Sequence, residues 1–551
     1  MTMAFPQLSG QPVIILKEDA KRSGGREAQR ANVMAARVIV EAVRSSLGPK
    51  GMDKMLVDSF GDVTVTNDGA TILKEMDVDH PAAKMMVEVA KTQDEEVGDG
   101  TTTAVVLAGE LLVKAQSLME KGIHPSIIVE GISSASERVK QYLDEIGIKV
   151  NPLDRMILRK IADTALATKF LTEDKARLAG LVVDAILNVA QVVDGRYAVD
   201  IEDIKLEKKS GGNISDTRLI KGLVIDKEVV HSRMPKRVDE ARIALIVKPF
   251  EIEKPEFDSK LTVENPEQLD AFIKKEEQLL EEMVEKLSSV GANVLLCQRG
   301  IDDAAQHYMA KKGILAVRRV KVSDMERLAK ATGGRIVTDV SGLETSDLGY
   351  AETVEEKKVG DDKMLFIEGC KSPRAVTIFI RGGAERIVNE AERALHDALC
   401  VVRDVIRDPK VAAGGGAPEV EVARRLREYS RGIRGREQLA VMAYADALEG
   451  IPMALAENAG LDPVDILAEL RARHDKGQVW AGIDPFRGAV QDMRKANVLE
   501  PLSVKAQAIA SATEAACMIL RIDDVVAAGK AGGGPSPPKK PEEGPGEAEE
   551  S

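Results

Sequence analysis

Apolar positions recur with a helical period over both ends of the chain and gather into short β-branched runs in its middle. Val33, Ala36, Val40 and Val43 stand at helical spacing, so 24–48 reads as one helix stopped by Gly48-Pro49. A short strand region at 55–65 runs into the turn Asn67-Asp68-Gly69. Helices are expected over 82–96, 102–121, 132–143, 152–166 and 173–192, the second apolar on much of its surface and so buried. From about 217 the texture changes, with strands at 220–224 and 241–247. A charged, proline-interrupted stretch follows at 250–262, and then an amphipathic helix at 266–290 with Leu269, Phe272, Ile273, Leu280, Met283, Val284 and Leu287 on one side. Strands at 294–297, 314–320 and 335–337 alternate with helices at 302–312 and 323–332, the pattern of a small α/β domain. Strands at 364–368 and 375–380 precede a long helix at 385–406. The remainder to about 509 is helical, with a strand-like run at 518–522. Two helical ends thus bracket a mixed α/β centre, which reads as an insertion between them.

Composition narrows this picture. At 551 residues the chain is long enough for several domains, and with 44% hydrophobic but only 3% aromatic residues its cores must be aliphatic. A net charge of −13 argues against a nucleic-acid surface spread over the molecule. Cys297, Cys370, Cys400 and Cys517 form no CxxC pair and read as free buried thiols, and the histidines form no zinc-binding spacing. The first ten residues lack a signal-peptide layout, and no apolar run of about 18 residues is present to span a bilayer. A soluble cytoplasmic protein without membrane contact is expected. The segment 531–551 holds five Gly, five Pro and five Glu and no aromatic or β-branched residue, so it is expected to be disordered.

The candidate chemistry begins at Gly98-Asp99-Gly100-Thr101-Thr102-Thr103. Two glycines allow close backbone approach, and the turn opens onto a helix whose free N–H groups and dipole favour an anion. Asp99 supplies a carboxylate of the kind that holds Mg²⁺ beside phosphate oxygens. Simple helix capping by Asp99 or Thr101 explains the same residues, and no Gly-Lys-Ser/Thr follows to make a P-loop. Leu47-Gly48-Pro49-Lys50-Gly51 reads equally as a helix stop. The run Gly414-Gly415-Gly416-Ala417-Pro418-Glu419 permits close approach of a nucleotide or is an ordinary turn. Asp68 reads as a turn residue and Asp397 as one on a solvated helix face.

In this order and spacing, these four motifs resemble the chaperonin family. The runs Lys221-Gly222-Leu223-Val224-Ile225-Asp226-Lys227, Gln306-His307-Tyr308 and Gly382-Gly383-Ala384-Glu385 sharpen the resemblance to group II, the thermosome and CCT type, with archaeal-type thermosome subunits closest. It covers the chain from about 11 to 526. The resemblance implies a multidomain α+β fold: a mostly helical equatorial ATPase domain from 1–151 and 406–530, an intermediate hinge domain from 152–217 and 371–405, and an α/β apical domain at 218–370. A helical lid protrusion would lie at about 248–275, with Phe250, Ile252 and Phe257 exposed to non-native clients or neighbouring lids.

The resemblance also implies residue roles. Leu47, Gly48 and Pro49 would line the phosphate and ribose region, Asp99 would ligate Mg²⁺, and Gly100, Thr101, Thr102 and Thr103 would hold the phosphates of ATP. Gly415 would lie against the nucleotide, Glu500 would contact the ribose, and apolar neighbours such as Ile483 would flank the adenine. Asp397 and Asp68 would form the hydrolytic pair, with Asp397 delivered by a hinge closure, and Lys169 would sense the γ-phosphate. Here the chain departs from the family: the usual Thr-Gly before that lysine is Ala167-Thr168. The implied function is ATP-dependent folding of non-native proteins inside stacked eight- or nine-membered rings. A metabolic ATP-dependent transferase or ligase, or a ring scaffold with a decayed ATPase, are the alternatives. Intact Asp68, Asp99 and Asp397 speak against the scaffold.

Overall fold

In the computed structural model, which describes residues 21–169, 172–251, 266–370 and 374–527, the two ends of the sequence fold together. The Gly25–Arg44, Pro81–Val97, Thr101–Glu120 and Pro125–Ile146 helices pack with the Ala417–Ser430, Glu437–Leu448 and Leu502–Arg521 helices. The Thr101–Glu120 helix is apolar nearly all round because it runs through the middle of this bundle, with Val105, Val106, Leu107, Leu111 and Leu112 buried. Contrary to the sequence expectation, this helix and Glu437–Asn458 are long and apolar enough to cross a membrane by length and composition. Their apolar windows are 61% and 67% buried in the core, which accounts for that composition without a bilayer.

A second core lies between the Arg155–Ala165, Thr172–Val189 and Glu385–Arg407 helices and a three-stranded sheet. Val376–Gly382 is the central strand there, parallel to Ile204–Ser210 and antiparallel to Arg218–Ile220. The third core belongs to a seven-stranded sheet. Its order is Leu315–Val317, Val294–Cys297, Arg237–Ile246, Gly349–Val359, Asp362–Glu368 and Gly222–Ile225, with Ile336–Val337 also on Arg237–Ile246. The expected alternation supplies the parallel part, and two long antiparallel strands extend it.

The main chain crosses between the first two cores at two adjacent places. Ile148–Lys149 pairs antiparallel with Lys410–Ala413, Lys149 opposite Lys410, and Val150 donates its N–H to the Pro409 carbonyl at 3.0 Å. Near the chain ends, Lys21–Gly24 pairs antiparallel with Asp524–Ala527. The 55–65 region is a hairpin of Lys54–Val57 and Val63–Thr66 that carries Met52, Met55, Val57 and Phe60 out into solvent.

Several expectations change. The strand-like 518–522 is the end of the Leu502–Arg521 helix, because Ile519 and Leu520 are drawn into the helical core. Gly349–Val359 and Ile204–Ser210 are strands that no sequence pattern announced. Phe250 is fully buried in the third core, its N–H on the Gly300 carbonyl at 3.0 Å, and so is no client contact. Residues 252–265 of the expected protrusion, with Ile252 and Phe257, and the tail 531–551 lie outside the described residues.

Candidate functional site

Two helix starts meet at the centre of the candidate site. Asp68 caps the Gly69–Glu75 helix, its Oδ2 accepting from the Thr71 N–H at 2.8 Å and the Thr71 hydroxyl at 2.7 Å. Gly100, with φ 76°, opens the Thr101–Glu120 helix, and the Thr101 hydroxyl donates to Asp68 Oδ1 at 3.3 Å. The two starts touch only because residue 69 is glycine: a Cβ there would stand 2.5 Å from Thr102 Oγ1. Thr101 and Thr102 are buried and Thr103 is half-buried. Free N–H groups and hydroxyls at two converging helix ends suit a polyanion.

Asp99 accepts from the Gly100 N–H at 2.6 Å. Burial lifts its carboxyl to about 6, against the pull of that hydrogen bond and with Glu500 adding to the rise. Gln93 pins the turn from below, donating to the Asp99 carbonyl at 2.8 Å and the Val504 carbonyl at 3.3 Å.

Asp397, expected on a solvated face, is instead nearly buried in an ion pair. Lys169 Nζ lies 2.7 Å from its Oδ2, the two side chains only 7% and 15% exposed. Burial raises the Asp397 carboxyl to about 8; Lys169 opposes this, and Asp68 and Asp99 add to it. Lys169 is itself raised, since Asp397, Asp68 and Glu390 outweigh its burial. Residues 166–168 form a short 3-10 turn, and no residue from 166 to 169 has positive φ, so Ala167-Thr168 fits where a glycine was expected.

Asp397 and Asp68 face one cavity of about 350 Å³, shared with Thr71, Asp94, His396 and Arg327. The Glu385–Arg407 helix reaches this place because it rests on the 98–103 turn. A Cβ added at Gly98 would stand 2.5 Å from Cys400 Sγ and closer still to its Cβ. In this structure Asp397 therefore already lies beside Asp68.

The two other glycine turns sit on one face of the Gly450–Asn458 helix. Gly48, with φ 83°, abuts Leu455, and the Asn458 amide donates to the Leu47 carbonyl at 2.8 Å. Gly416 abuts Pro452 one turn earlier. Gly415, with φ 66°, accepts from the Ile483 N–H at 2.9 Å, so Ile483 presents its main chain there while its side chain is buried among Val420, Leu470 and Val490. Glu500, on Leu499–Pro501, lies against Gly414 and pairs with Lys505 at 2.7 Å. Pro49 follows Gly48 in the first turn.

Sequence reasoning missed Gln93, Asp94 and Lys505. A signal was present for two of them. Asp94 belongs to an acidic run at the C-terminal end of the Pro81–Val97 helix, and Lys505 sits in the first turns of Leu502–Arg521; both oppose the helix dipole.

Among the described residues no group of three His, Cys, Asp or Glu could hold a metal ion unaided. The carboxylates and hydroxyls present are hard oxygen donors, so they fit a magnesium ion whose shell is completed by phosphate and water.

A family description, the TCP-1/cpn60 chaperonin family, matches residues 39–530. A thermosome subunit of Methanopyrus kandleri is 60% identical over 526 residues, covering 96% of each chain. Thermosome subunit alpha of Archaeoglobus fulgidus is 58% identical over 521 residues, covering 95% of this chain and 96% of its own. A thermosome subunit of Pyrococcus horikoshii is 58% identical over 525 residues, covering 95% of both.

Proposed function

The chain belongs to the TCP-1/cpn60 chaperonin family, and from that premise we propose that it is a cytoplasmic, ATP-hydrolysing chaperone subunit whose active centre joins Asp99 and Asp68 to Asp397. The observation that carries this reading is the shared cavity of Asp68 and Asp397, which stand on two different hydrophobic cores. In this reading the first core marks the equatorial domain, the second the intermediate domain and the third the apical domain.

The Gly100 turn, with the N–H groups and hydroxyls of Thr101, Thr102 and Thr103, binds the phosphates of ATP, with Leu47, Gly48 and Pro49 and the Gly415 turn lining the rest of the nucleotide and Glu500 meeting the sugar. Magnesium, when bound with the nucleotide through Asp99, supplies charge neutralisation for the leaving phosphates. Asp397 orients the attacking water and takes its proton; a carboxyl raised toward neutrality suits that task. Lys169 holds Asp397 in place and reports on the terminal phosphate. Since Asp397 belongs to another core than Asp68, the site is complete only when the two cores are docked, and nucleotide binding favours that state. Repeated docking and release then drives the enclosure of non-native clients.

Subunits assemble in stacked eight- or nine-membered rings. The projecting hairpin with exposed Met52, Met55, Val57 and Phe60 is a surface that a neighbouring copy would cover. Steady-state ATP hydrolysis tests the centre. Asp99→Ala abolishes magnesium-dependent turnover, and Asp397→Ala retains nucleotide binding while losing most turnover. Normal turnover in either variant sinks the assignment. Native mass tests the assembly: rings of this 59.5 kDa chain give particles of about 1 MDa, and a monomer or dimer contradicts it.

A further inference from the structure

Three structural elements converge on one buried amine. Lys505, near the start of Leu502–Arg521, is 9% exposed and lies 2.9 Å from Glu419 Oε1 and 2.7 Å from Glu500 Oε2. Glu419 is in the first turn of the Ala417–Ser430 helix, directly after the 414–416 glycines, and its side chain is 4% exposed. Glu500 comes from Leu499–Pro501 and is 30% exposed, the only one of the three open to the site.

The charges do not balance within this cluster. One ammonium faces two carboxylates, and Glu419 Oε2 is buried without a hydrogen-bond partner. A lone buried carboxylate is costly, so Glu419 holds its place through Lys505. Glu500 then has one oxygen occupied and the other directed to the turn, since a Cβ at Gly414 would meet Glu500 Oε1 at 2.5 Å. A carboxylate with one oxygen tied and one free is a fixed acceptor for a hydroxyl pair. Without the tie it would rotate freely and lose that geometry.

We infer that Lys505 is the positioning residue for sugar recognition: braced by Glu419, it holds Glu500 in the orientation that accepts hydroxyl hydrogen bonds from the ribose of the nucleotide. This inference rests on the reading of Glu500 as the sugar contact. It makes Lys505 responsible for the distinction between ATP and 2′- or 3′-deoxy-ATP, although the amine itself touches no nucleotide.

The experiment compares hydrolysis of ATP, 2′-deoxy-ATP and 3′-deoxy-ATP by assembled wild type, Lys505→Met, Lys505→Met/Glu419→Gln and Lys505→Gln. A hydroxyl bonded to a charged acceptor is expected to give wild type a preference of about tenfold or more in kcat/KM for ATP over the weaker deoxy analogue. Lys505→Met/Glu419→Gln, which removes the amine without stranding a buried charge, and Lys505→Met should both reduce that preference to about twofold, through a larger rise in KM for ATP than for the deoxy analogue. Lys505→Gln, which keeps one donor, should fall between. No preference in wild type overturns the sugar role of Glu500 itself. A wild-type preference that survives in Lys505→Met overturns the role of Lys505 alone. Failure of all three variants to assemble overturns it too, in favour of a purely architectural amine.

Discussion

Gly98 is where the second core rests on the first, and a single methyl there tests whether that contact sets the position of Asp397. The residue has φ 70°, so Gly98→Ala costs about 1 kcal/mol in backbone strain alone. The added Cβ would stand 2.5 Å from Cys400 Sγ. Nonbonded carbon needs about 3.5–4.0 Å, so the Glu385–Arg407 helix must withdraw by roughly 1 Å or more, and Asp397 lies on that helix three residues before Cys400. A displacement of that size at a reacting centre lowers kcat by about 100-fold. The ATP dissociation constant should change little, because the phosphate-facing groups are on the first core. Steady-state hydrolysis with nucleotide binding by calorimetry measures both, and thermal unfolding separates the effect from loss of fold. Cys400→Gly removes the obstructing side chain, so the double variant Gly98→Ala/Cys400→Gly should recover a large part of kcat. Wild-type turnover in Gly98→Ala, or a double variant no faster than the single, refutes the reasoning.

Three further outcomes are expected. If ionised Asp397 is the base, kcat/KM for ATP rises with pH about a midpoint near 8, and Lys169→Met moves that midpoint upward by removing the cation that favours the ionised form. Buried Glu421, despite a burial penalty, is held down to about 2 by hydrogen bonds from His474, Arg424 and Arg425. A depressed carboxylate stabilises above its unfolded value, so its contribution is present above about pH 4.5 and lost as pH falls toward 2; Glu421→Gln should flatten an acid-unfolding curve in that window and cost about 3 kcal/mol at pH 7. Burial pushes the thiols of Cys297 and Cys370 up to about 11 and that of Cys400 up to about 12. Thiol reagents at pH 7.5 should therefore modify half-buried Cys517 first and the other three only on unfolding, followed by mass spectrometry.

The helices and the insertion of an α/β centre were legible because a buried stripe repeats every turn and needs no distant partner. Gly349–Val359 was not, since only Gly349, Ala351 and Val354 of it are buried and the run Glu355-Glu356-Lys357-Lys358 reads as solvated chain. The glycine turns were legible as local chemistry. The ion pair that fixes Asp397 was not: Lys169 is 228 positions away, and on its own helix Asp397 looks like one more charged residue. Phe250 misled in the opposite direction. Its charged and proline-rich neighbours suggest an exposed loop, whereas the strand ends around Gly300 enclose it.

The two chain crossings at Ile148–Lys149 and Lys410–Ala413 have a mechanical consequence. Paired side by side, with Lys410–Ala413 also laddered to Leu499–Pro501, they form a short sheet about which the middle of the chain would turn against the helical bundle. Asp397 stands ten residues before the end of its helix at Arg407, about 15 Å along the axis, so a rotation of about 10° about that end would carry it roughly 3 Å. That travel would move the carboxylate away from Asp68 on the other core, while the same angle would sweep the far α/β sheet through a longer arc. If Asp397 acts as proposed, such a pivot would make the fold a lever with its short arm at Asp397 and its long arm at the α/β sheet.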